Sequence, residues 1–176
     1  MKLYVVRHGE TALNAQNRVC GISNGALTIK GKEQAERLAV ELSDVQFDCI
    51  FSSPQIRALQ TVQPIAEANG MQVIVEPRLA EQNYGIYEGA TRDDPGFLSN
   101  KRNFAFRYPQ GESMMQVACR VYTLIDELKG KYPQGTILFA THGGVFRVLN
   151  SYFKDMTNDE FFHFGIKNCE WKVYCC

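Results

Sequence analysis

Short apolar runs alternate along the chain with longer segments whose apolar residues recur every three to four positions. Runs rich in β-branched and aromatic residues are typical of strands, and the longer period is typical of helices. The predicted strands cover residues 2–6, 47–51, 71–75, 136–140 and, antiparallel at an edge, 166–174. Helices are predicted between them, so we expect right-handed crossovers and an α/β fold, a three-layer α/β/α sandwich with a mostly parallel central sheet.

Capping residues mark where three of the helices begin. Thr28 precedes a helical pattern and is predicted as its N-cap. Ser53 and Pro54 combine an N-cap with proline in the first turn of the next helix. Ser113 begins a third helix, in which Gln116 completes a capping box.

Residues 84–112 depart from this alternation. The segment has weak periodicity and is rich in aromatic and basic residues, among them Tyr84, Phe97, Arg92 and Lys101. Long loops within compact domains are often functional. Two interpretations stay open: a loop that packs its aromatic residues on the core, or a small cap inserted over a pocket.

Length and composition predict one domain over residues 1–176, long enough for a single sizeable core. The 45% hydrophobic and 22% charged fractions argue against disordered and membrane classes, because both lie near the average of globular proteins. The 19 basic and 19 acidic residues balance to a net charge of zero. Net charge therefore gives no reason to expect a nucleic-acid or membrane partner, and it leaves the oligomeric state open.

The cysteines and the amino-terminal residues bear on metal binding and location. The 6 cysteines form no Cys-x-x-Cys pair and no histidine spacing suits zinc, so no metal site is predicted. A charged residue as early as Arg7 leaves no room for a signal-peptide core, and no stretch has the length to span a bilayer. These features predict free thiols and a cytoplasmic location.

Residues suited to anion chemistry follow the first strand directly. Arg7, His8 and Gly9 fall at the C-terminal edge of the predicted sheet, where open α/β folds bind their ligands. Arginine offers a planar fork for phosphate or carboxylate, and glycine lets the backbone approach an anion. Histidine is a nucleophile that can be neutral near pH 7. A polar surface turn is the alternative that these residues alone leave open.

Four further blocks follow this first one in a fixed order and extend to about residue 150. The five blocks are Arg7-His8-Gly9-Glu10-Thr11 with Asn14, Ser52-Ser53-Pro54-Gln55-Ile56-Arg57-Ala58-Leu59-Gln60-Thr61, Leu79-Ala80-Glu81 with Tyr84-Gly85 and Glu88-Gly89, Gly111-Glu112-Ser113, and Thr141-His142-Gly143-Gly144-Val145-Phe146-Arg147. In this order they resemble the histidine phosphatase superfamily, also called phosphoglycerate-mutase-like. One block would be a weak signal, whereas the ordered set is a strong one.

The resemblance implies a phosphatase that hydrolyses a small phosphomonoester through a phosphohistidine on His8, with no metal or other cofactor. Glu81 matches the general acid, which protonates the leaving oxygen and later deprotonates the attacking water. Arg7, Arg57 and His142 are expected to stabilise the phosphoryl oxygens, the two arginines through their forks. The substrate-binding candidates are Asn14, Cys20, Gly21, Tyr84 and Gly143.

Several alternatives remain beside this interpretation. Mutases of the family commonly carry Asn at the position of Gly144, and the short chain also favours the phosphatase branch over a phosphomutase. A non-catalytic phosphate-binding regulatory module on the same fold is a second alternative. Glu88 and Glu112 lie close enough in sequence to compete with Glu81 for the role of the acid. The sequence does not indicate which metabolite is bound.

Overall fold

The computed structural model describes residues 1–176 and contains one five-stranded sheet. Its strands are β1 (Lys2–Arg7), β2 (Cys49–Ser52), β3 (Val73–Val75), β4 (Thr136–Thr141) and β5 (Trp171–Cys175). The order across the sheet is β3-β2-β4-β1-β5, with the first four strands parallel and β5 antiparallel to β1. The predicted α/β fold and the antiparallel edge strand are both confirmed.

Helices cover both faces of this sheet. They are α1 (Ala12–Ala15), α2 (Ile29–Glu41), α3 (Ile56–Ala68), α4 (Pro95–Arg102), α5 (Met114–Lys131), α6 (Gly143–Phe153) and α7 (Asn158–His163), with 3₁₀ turns at Pro77–Leu79 and Gly85–Tyr87. Val5 of β1 packs in the layer that contains Leu124 of α5, and the next residue, Val6, packs with Val62 of α3. Successive strand residues thus bury against opposite helix layers, which is why buried parallel strands are apolar throughout.

Two of the predicted helix starts are confirmed by their capping hydrogen bonds. The hydroxyl of Thr28 accepts from the main-chain N–H of Gly31 over 3.0 Å. Ser113 accepts from the N–H of Gln116 over 3.2 Å, and the Gln116 side chain accepts from the N–H of Ser113 over 2.9 Å. This reciprocal pair is the predicted capping box.

The predicted N-cap at Ser53 is wrong. Helix α3 begins at Ile56, and Gln55 at its N-cap makes no side-chain capping bond. The Oδ1 atom of Asn24, from a distant loop, accepts from the Ile56 N–H over 3.1 Å instead. The Ser53 hydroxyl lies 2.6 Å from His142 Nε2, and it accepts over 3.4 Å from the N–H of Gln55, which precedes the helix. A tertiary contact has replaced the local one.

Residues 84–112 form a 3₁₀ turn and helix α4, which the sequence did not predict. Tyr84, Phe97 and Tyr108 pack against one another, with ring centroids 5.2–5.7 Å apart. They form a small apolar cluster with Val19, separate from the two main layers. Helix α4 was not predicted because it has no apolar periodicity. It has only 8 residues, and Phe97 is the only one of them that is buried. No helix in the structure combines the length and the apolar character needed to cross a bilayer.

Candidate active site

The two histidines of the sequence motifs meet at the carboxyl ends of β1 and β4. Arg7 pairs in register with Thr141, and the next N–H, of His8, donates to the Thr141 carbonyl over 2.9 Å. The imidazole centroids of His8 and His142 lie 5.0 Å apart. Neighbouring parallel strands bring their ends to one sheet edge, so residues from distant parts of the sequence face the same space.

The His8 ring is held in one tautomer. Its Nδ1 lies 2.7 Å from the carbonyl oxygen of Gly9, which can only accept, so Nδ1 carries the proton. The lone pair is therefore on Nε2, which accepts from Arg57 Nε over 3.3 Å. Burial, followed by the charges of Arg57 and Arg7, holds the pKa of His8 well below its usual value. The imidazole is consequently neutral at pH 7.

The Arg57 guanidinium is fully buried and bridges the two imidazoles. Its Nε donates to His8 Nε2 and, over 3.2 Å, to His142 Nδ1. Its terminal nitrogens Nη1 and Nη2 donate to the main-chain carbonyls of Ser23 and Gly21. The fork that the sequence assigned to a phosphate is therefore engaged with the loop at residues 21–23.

His142 lies beneath the site in a chain of buried polar groups. Because Nδ1 accepts from Arg57, the proton is on Nε2, which lies 2.6 Å from Ser53 Oγ and 3.0 Å from Gln55 Oε1. Burial and then the charges of Arg57 and His8 lower the pKa of His142 well below its usual value. Both histidines are thus neutral, with defined tautomers.

A cavity opens over His8, and seven of the ten residues predicted for the site line it. They are Arg7, His8, Asn14, Cys20, Glu81, Tyr84 and Gly143. The other three, Gly21, Arg57 and His142, lie outside the lining. The N–H of Gly21 donates to Glu88, and its carbonyl accepts from Arg57, so Gly21 holds the loop beside the cavity.

Four cationic side chains line the same cavity, together with a single carboxylate, Glu81. They are Arg7, Arg92, Lys101 and Arg147, of which the last three were not among the predicted site residues. The Nε atoms of Arg7 and Arg147 are buried and have no hydrogen-bond partner. Buried donors normally have a partner, so two buried guanidinium nitrogens without one, on side chains that line a cavity, indicate a site for an anion.

Lys101 of α4 lines the cavity beside an aromatic ring and several positive charges. Its Nζ lies 4.5 Å from the ring centroid of Phe162 on α7. Burial, and then the charges of Arg147, Arg92 and Arg102, lower the pKa of Lys101 to about 8. An anion in the cavity would favour the protonated form of this amine.

Glu81 is the only carboxylate in the cavity lining, and two main-chain groups fix it. Its Oε1 accepts from the N–H of Gln82 over 2.9 Å, and its Oε2 accepts from the N–H of Gly144 over 3.0 Å. The competing carboxylates point elsewhere. Glu88 accepts from the N–H groups of the loop at residues 21–23, and Glu112 forms an ion pair with an arginine of α5.

Asn168, near the carboxyl terminus, is a site residue that the sequence did not predict. Its Nδ2 donates to the carbonyl of His8 over 2.8 Å and to Oδ1 of Asn14 over 3.3 Å. The same Oδ1 accepts from the N–H of Thr11. Since Oδ1 faces donors, the donating Nδ2 of Asn14 is the end left for the cavity that Asn14 lines. No motif precedes or surrounds Asn168 that could have revealed this contact.

A family model described as the histidine phosphatase superfamily, branch 1, matches residues 3–176. The chain belongs to the histidine phosphatase superfamily. This histidine phosphatase is 34% identical over 153 residues to "Probable phosphoglycerate mutase GpmB" of Escherichia fergusonii, covering 81% of this chain and 70% of that protein. The protein of the same name from Erwinia tasmaniensis is 31% identical over 176 residues, covering 96% of this chain and 82% of that protein.

Solved structures of phosphatases share the fold of this histidine phosphatase. A mycobacterial glucosyl-3-phosphoglycerate phosphatase in complex with VO3 is 29% identical with a TM-score of 0.87, covering 98% of this chain and 90% of that one. The alpha-ribazole phosphatase of Shigella flexneri is 28% identical with a TM-score of 0.84, covering 98% of this chain and 89% of that one. Family and structural neighbours identify the protein as an enzyme of the histidine phosphatase type.

Proposed function

We propose that the protein hydrolyses a small phosphomonoester by transferring its phosphoryl group to Nε2 of His8. The observation that carries the proposal is the fixed tautomer of His8, whose Nδ1–H is bound by the Gly9 carbonyl. The lone pair is thereby placed on Nε2, beside a cavity lined by four cations, and it can attack phosphorus once Nε2 gives up its hydrogen bond from Arg57 Nε. A mycobacterial phosphatase of the same fold binds VO3, an oxyanion, which supports an oxyanion site here.

Each half of the proposed reaction balances in atoms and charge. In the first half, His8 Nε2 bonds to phosphorus, the bond from phosphorus to the ester oxygen breaks, and Glu81 gives its proton to that oxygen. In the second half, water attacks phosphorus, the bond to nitrogen breaks, and Glu81 takes the proton of the water. Inorganic phosphate leaves, and both side chains return to their starting states.

Cationic side chains supply the charge stabilisation in this scheme. Arg7 lies beside Gly143, since a β-carbon there would be 3.8 Å from Arg7 Nε, and that nitrogen has no protein partner. We assign Arg7, with the amide of Asn14, to the phosphoryl oxygens. We assign Arg57 and His142 to holding the nucleophile from below. Since these groups neutralise the phosphate, the scheme requires no metal ion.

Residues 84–112 are proposed to act as a cap that selects the substrate. Arg92 and Lys101 of this segment, with Arg147 of α6, line the cavity in addition to Arg7. A phosphoryl group bound at Arg7 and His8 leaves these three cations for a second anionic group. We therefore propose a metabolite that carries a carboxylate or a second phosphate beside the ester. Relatives named for phosphoglycerates support this class.

A phosphomutase is the second candidate, because two relatives more than 30% identical to this chain are named phosphoglycerate mutases. A mutase returns the phosphoryl group to another hydroxyl of the substrate, whereas a phosphatase releases it to water. Incubation with 3-phosphoglycerate, followed by ³¹P NMR, separates the two. We expect inorganic phosphate as the product. Conversion to 2-phosphoglycerate without inorganic phosphate would assign the protein to the mutases instead.

The covalent step is tested by quenching a single turnover of a ³²P-labelled ester. We expect label on the protein that is stable in base and lost in acid, the lability of a phosphorus–nitrogen bond. His8→Ala should carry no label, and the matched control His163→Ala should label normally, because His163 is exposed on α7 and does not line the cavity. Turnover that stops when EDTA is added would contradict the metal-free scheme.

A further inference from the structure

Glu81 lies in a stretch of chain that has no regular secondary structure of its own. The 3₁₀ turn before it ends at Leu79, and the next turn begins at Gly85. A carboxylate on such a segment keeps its position only if other elements fix the backbone around it. The structure contains two side chains that do so, both outside the cavity lining.

Arg120 of α5 is the first of them. Its Nη1 donates to the carbonyl of Arg78 over 2.6 Å, and its Nη2 donates to the carbonyl of Glu81 over 3.4 Å. The same guanidinium holds Glu112 through two contacts, Nε to Oε1 and Nη2 to Oε2, each 3.2 Å long. Arg120 therefore contacts the backbone on the amino-terminal side of Glu81 and at Glu81 itself.

Glu112 fixes the main chain on the carboxyl-terminal side of Glu81. Its Oε2 accepts from the N–H of Asn83 over 3.0 Å, and its own N–H donates to the Asn83 carbonyl over 2.8 Å. Its carbonyl accepts from Nε2 of Gln82 over 3.0 Å. Arg120 and Glu112 thus form hydrogen bonds with the chain before Glu81, at Glu81 and after it.

We propose that Arg120, paired with Glu112, is a positioning residue for Glu81. It fixes the main chain so that the carboxylate meets the N–H of Gly144 and stays in the cavity. The inference rests on the proposed function, in which Glu81 is the general acid. Arg120 does not line the cavity, so its effect on the reaction passes through Glu81.

The ion pair is only partly buried, with side chains 18% and 28% exposed, and a pair of this kind usually contributes little to stability. A merely structural role therefore predicts a small, uniform effect on all substrates. A positioning role predicts a large effect on esters with poor leaving groups and a small effect on the others, because only poor leaving groups need the acid. Displacement of a reacting group by about 1 Å can cost about 10²-fold in rate.

The test compares kcat/KM for β-glycerophosphate, an alkyl ester, and p-nitrophenyl phosphate, whose leaving group departs without a proton. For Arg120→Gln we expect a loss of about 10- to 100-fold on the alkyl ester. The loss on p-nitrophenyl phosphate should be at most about threefold, and Arg120→Lys should recover part of the alkyl activity. Arg78→Gln is the matched control, since that guanidinium pairs with Glu76 and Glu127 and its side chain does not contact Glu81.

Adding Arg120→Gln to Glu81→Gln completes the experiment as a double-mutant cycle. With the acid already gone, the second substitution should cause no further selective loss. Equal losses on both esters, or full additivity with Glu81→Gln, would overturn the positioning role. If Glu81→Gln itself shows no preference for the alkyl ester, the general-acid assignment fails, and the proposal for Arg120 fails with it. The single Glu81 variant thus distinguishes the two failures.

Discussion

The main-chain N–H of Gly144 donates to Oε2 of Glu81 over 3.0 Å, and a β-carbon at Gly144 would lie 2.5 Å from Oε1 of the same carboxylate. The β-carbon would also lie 3.1 Å from the hydroxyl of Tyr84. The carboxylate thus occupies the space that any side chain at position 144 would need. Glycine at position 144 leaves room for the Glu81 carboxylate at the place where it accepts from this N–H.

Gly144→Ala should therefore displace Glu81 while leaving His8 in place. We expect a loss of about 10²-fold in kcat/KM on β-glycerophosphate, from misplacement of the acid, and a much smaller loss on p-nitrophenyl phosphate. Gly130→Ala is the control, because a β-carbon there meets no atom within 4 Å. A Gly144→Ala enzyme with unchanged activity on both esters would contradict this role of the glycine.

Glu81→Gln should lose activity mainly on esters with poor leaving groups. General acid catalysis contributes about 10²–10⁴-fold, so we expect a loss in that range on alkyl phosphates and a far smaller one on p-nitrophenyl phosphate. Glu88→Gln, which weakens the anchor of the loop at residues 21–23, should affect both esters equally. A selective loss in Glu88→Gln, with none in Glu81→Gln, would reassign the acid.

Lys101 should make substrate affinity depend on pH in the alkaline range. Its pKa is lowered to about 8 by burial and the neighbouring Arg147, Arg92 and Arg102, so its charge is lost as the pH rises above 8. KM for a phosphoglycerate should rise there, while KM for p-nitrophenyl phosphate should not. Lys101→Met should raise KM for the phosphoglycerate about tenfold at pH 7. The variant's KM should then no longer rise above pH 8. The profiles of both proteins from pH 6.5 to 9.5 check this.

The buried histidines should destabilise the fold in acid. The pKa values of His8 and His142 are lowered in the native state, so between those values and about 6.5 the unfolded chain binds more protons. The free energy of unfolding is therefore highest above pH 6.5. Below that pH it falls by about 1.4 kcal/mol per pH unit for each histidine. Urea denaturation between pH 7.5 and 5.0 measures this slope. His8→Ala should reduce it by about half, because the contribution of His142 remains, and His163→Ala should leave it unchanged.

The sequence predicted the fold class, the strands and the main helices, because periodicity and capping are local properties. The apolar runs around Val5 and Phe139 predicted buried parallel strands, and the Ser113 capping box predicted the start of α5. Such patterns act within a few residues, so they survive folding unless a distant group competes. Such competition occurs at Ser53, where the hydroxyl contacts His142 and Asn24 caps α3 in its place.

The candidate site was only partly predictable. The motifs pointed to His8 and His142, because strand ends in a parallel sheet converge on one edge. The choice of Glu81 over Glu88 and Glu112 depended largely on resemblance, and the structure adds that of these three only Glu81 lines the cavity. Sequence spacing cannot distinguish three carboxylates on irregular chain, since their directions depend on partners elsewhere in the fold.

The tertiary structure alone decided which groups surround a substrate and how they are oriented. Lys101 and Asn168 reach the site from segments without a motif, through a contact with Phe162 and through hydrogen bonds to His8 and Asn14. The Arg57 fork faces carbonyls rather than the cavity, although the sequence places it correctly at the start of α3. Local sequence determines secondary structure and the sheet edge where side chains gather. The partners of each polar group depend on distant segments, because a buried donor is stabilised by whichever acceptor the fold brings beside it.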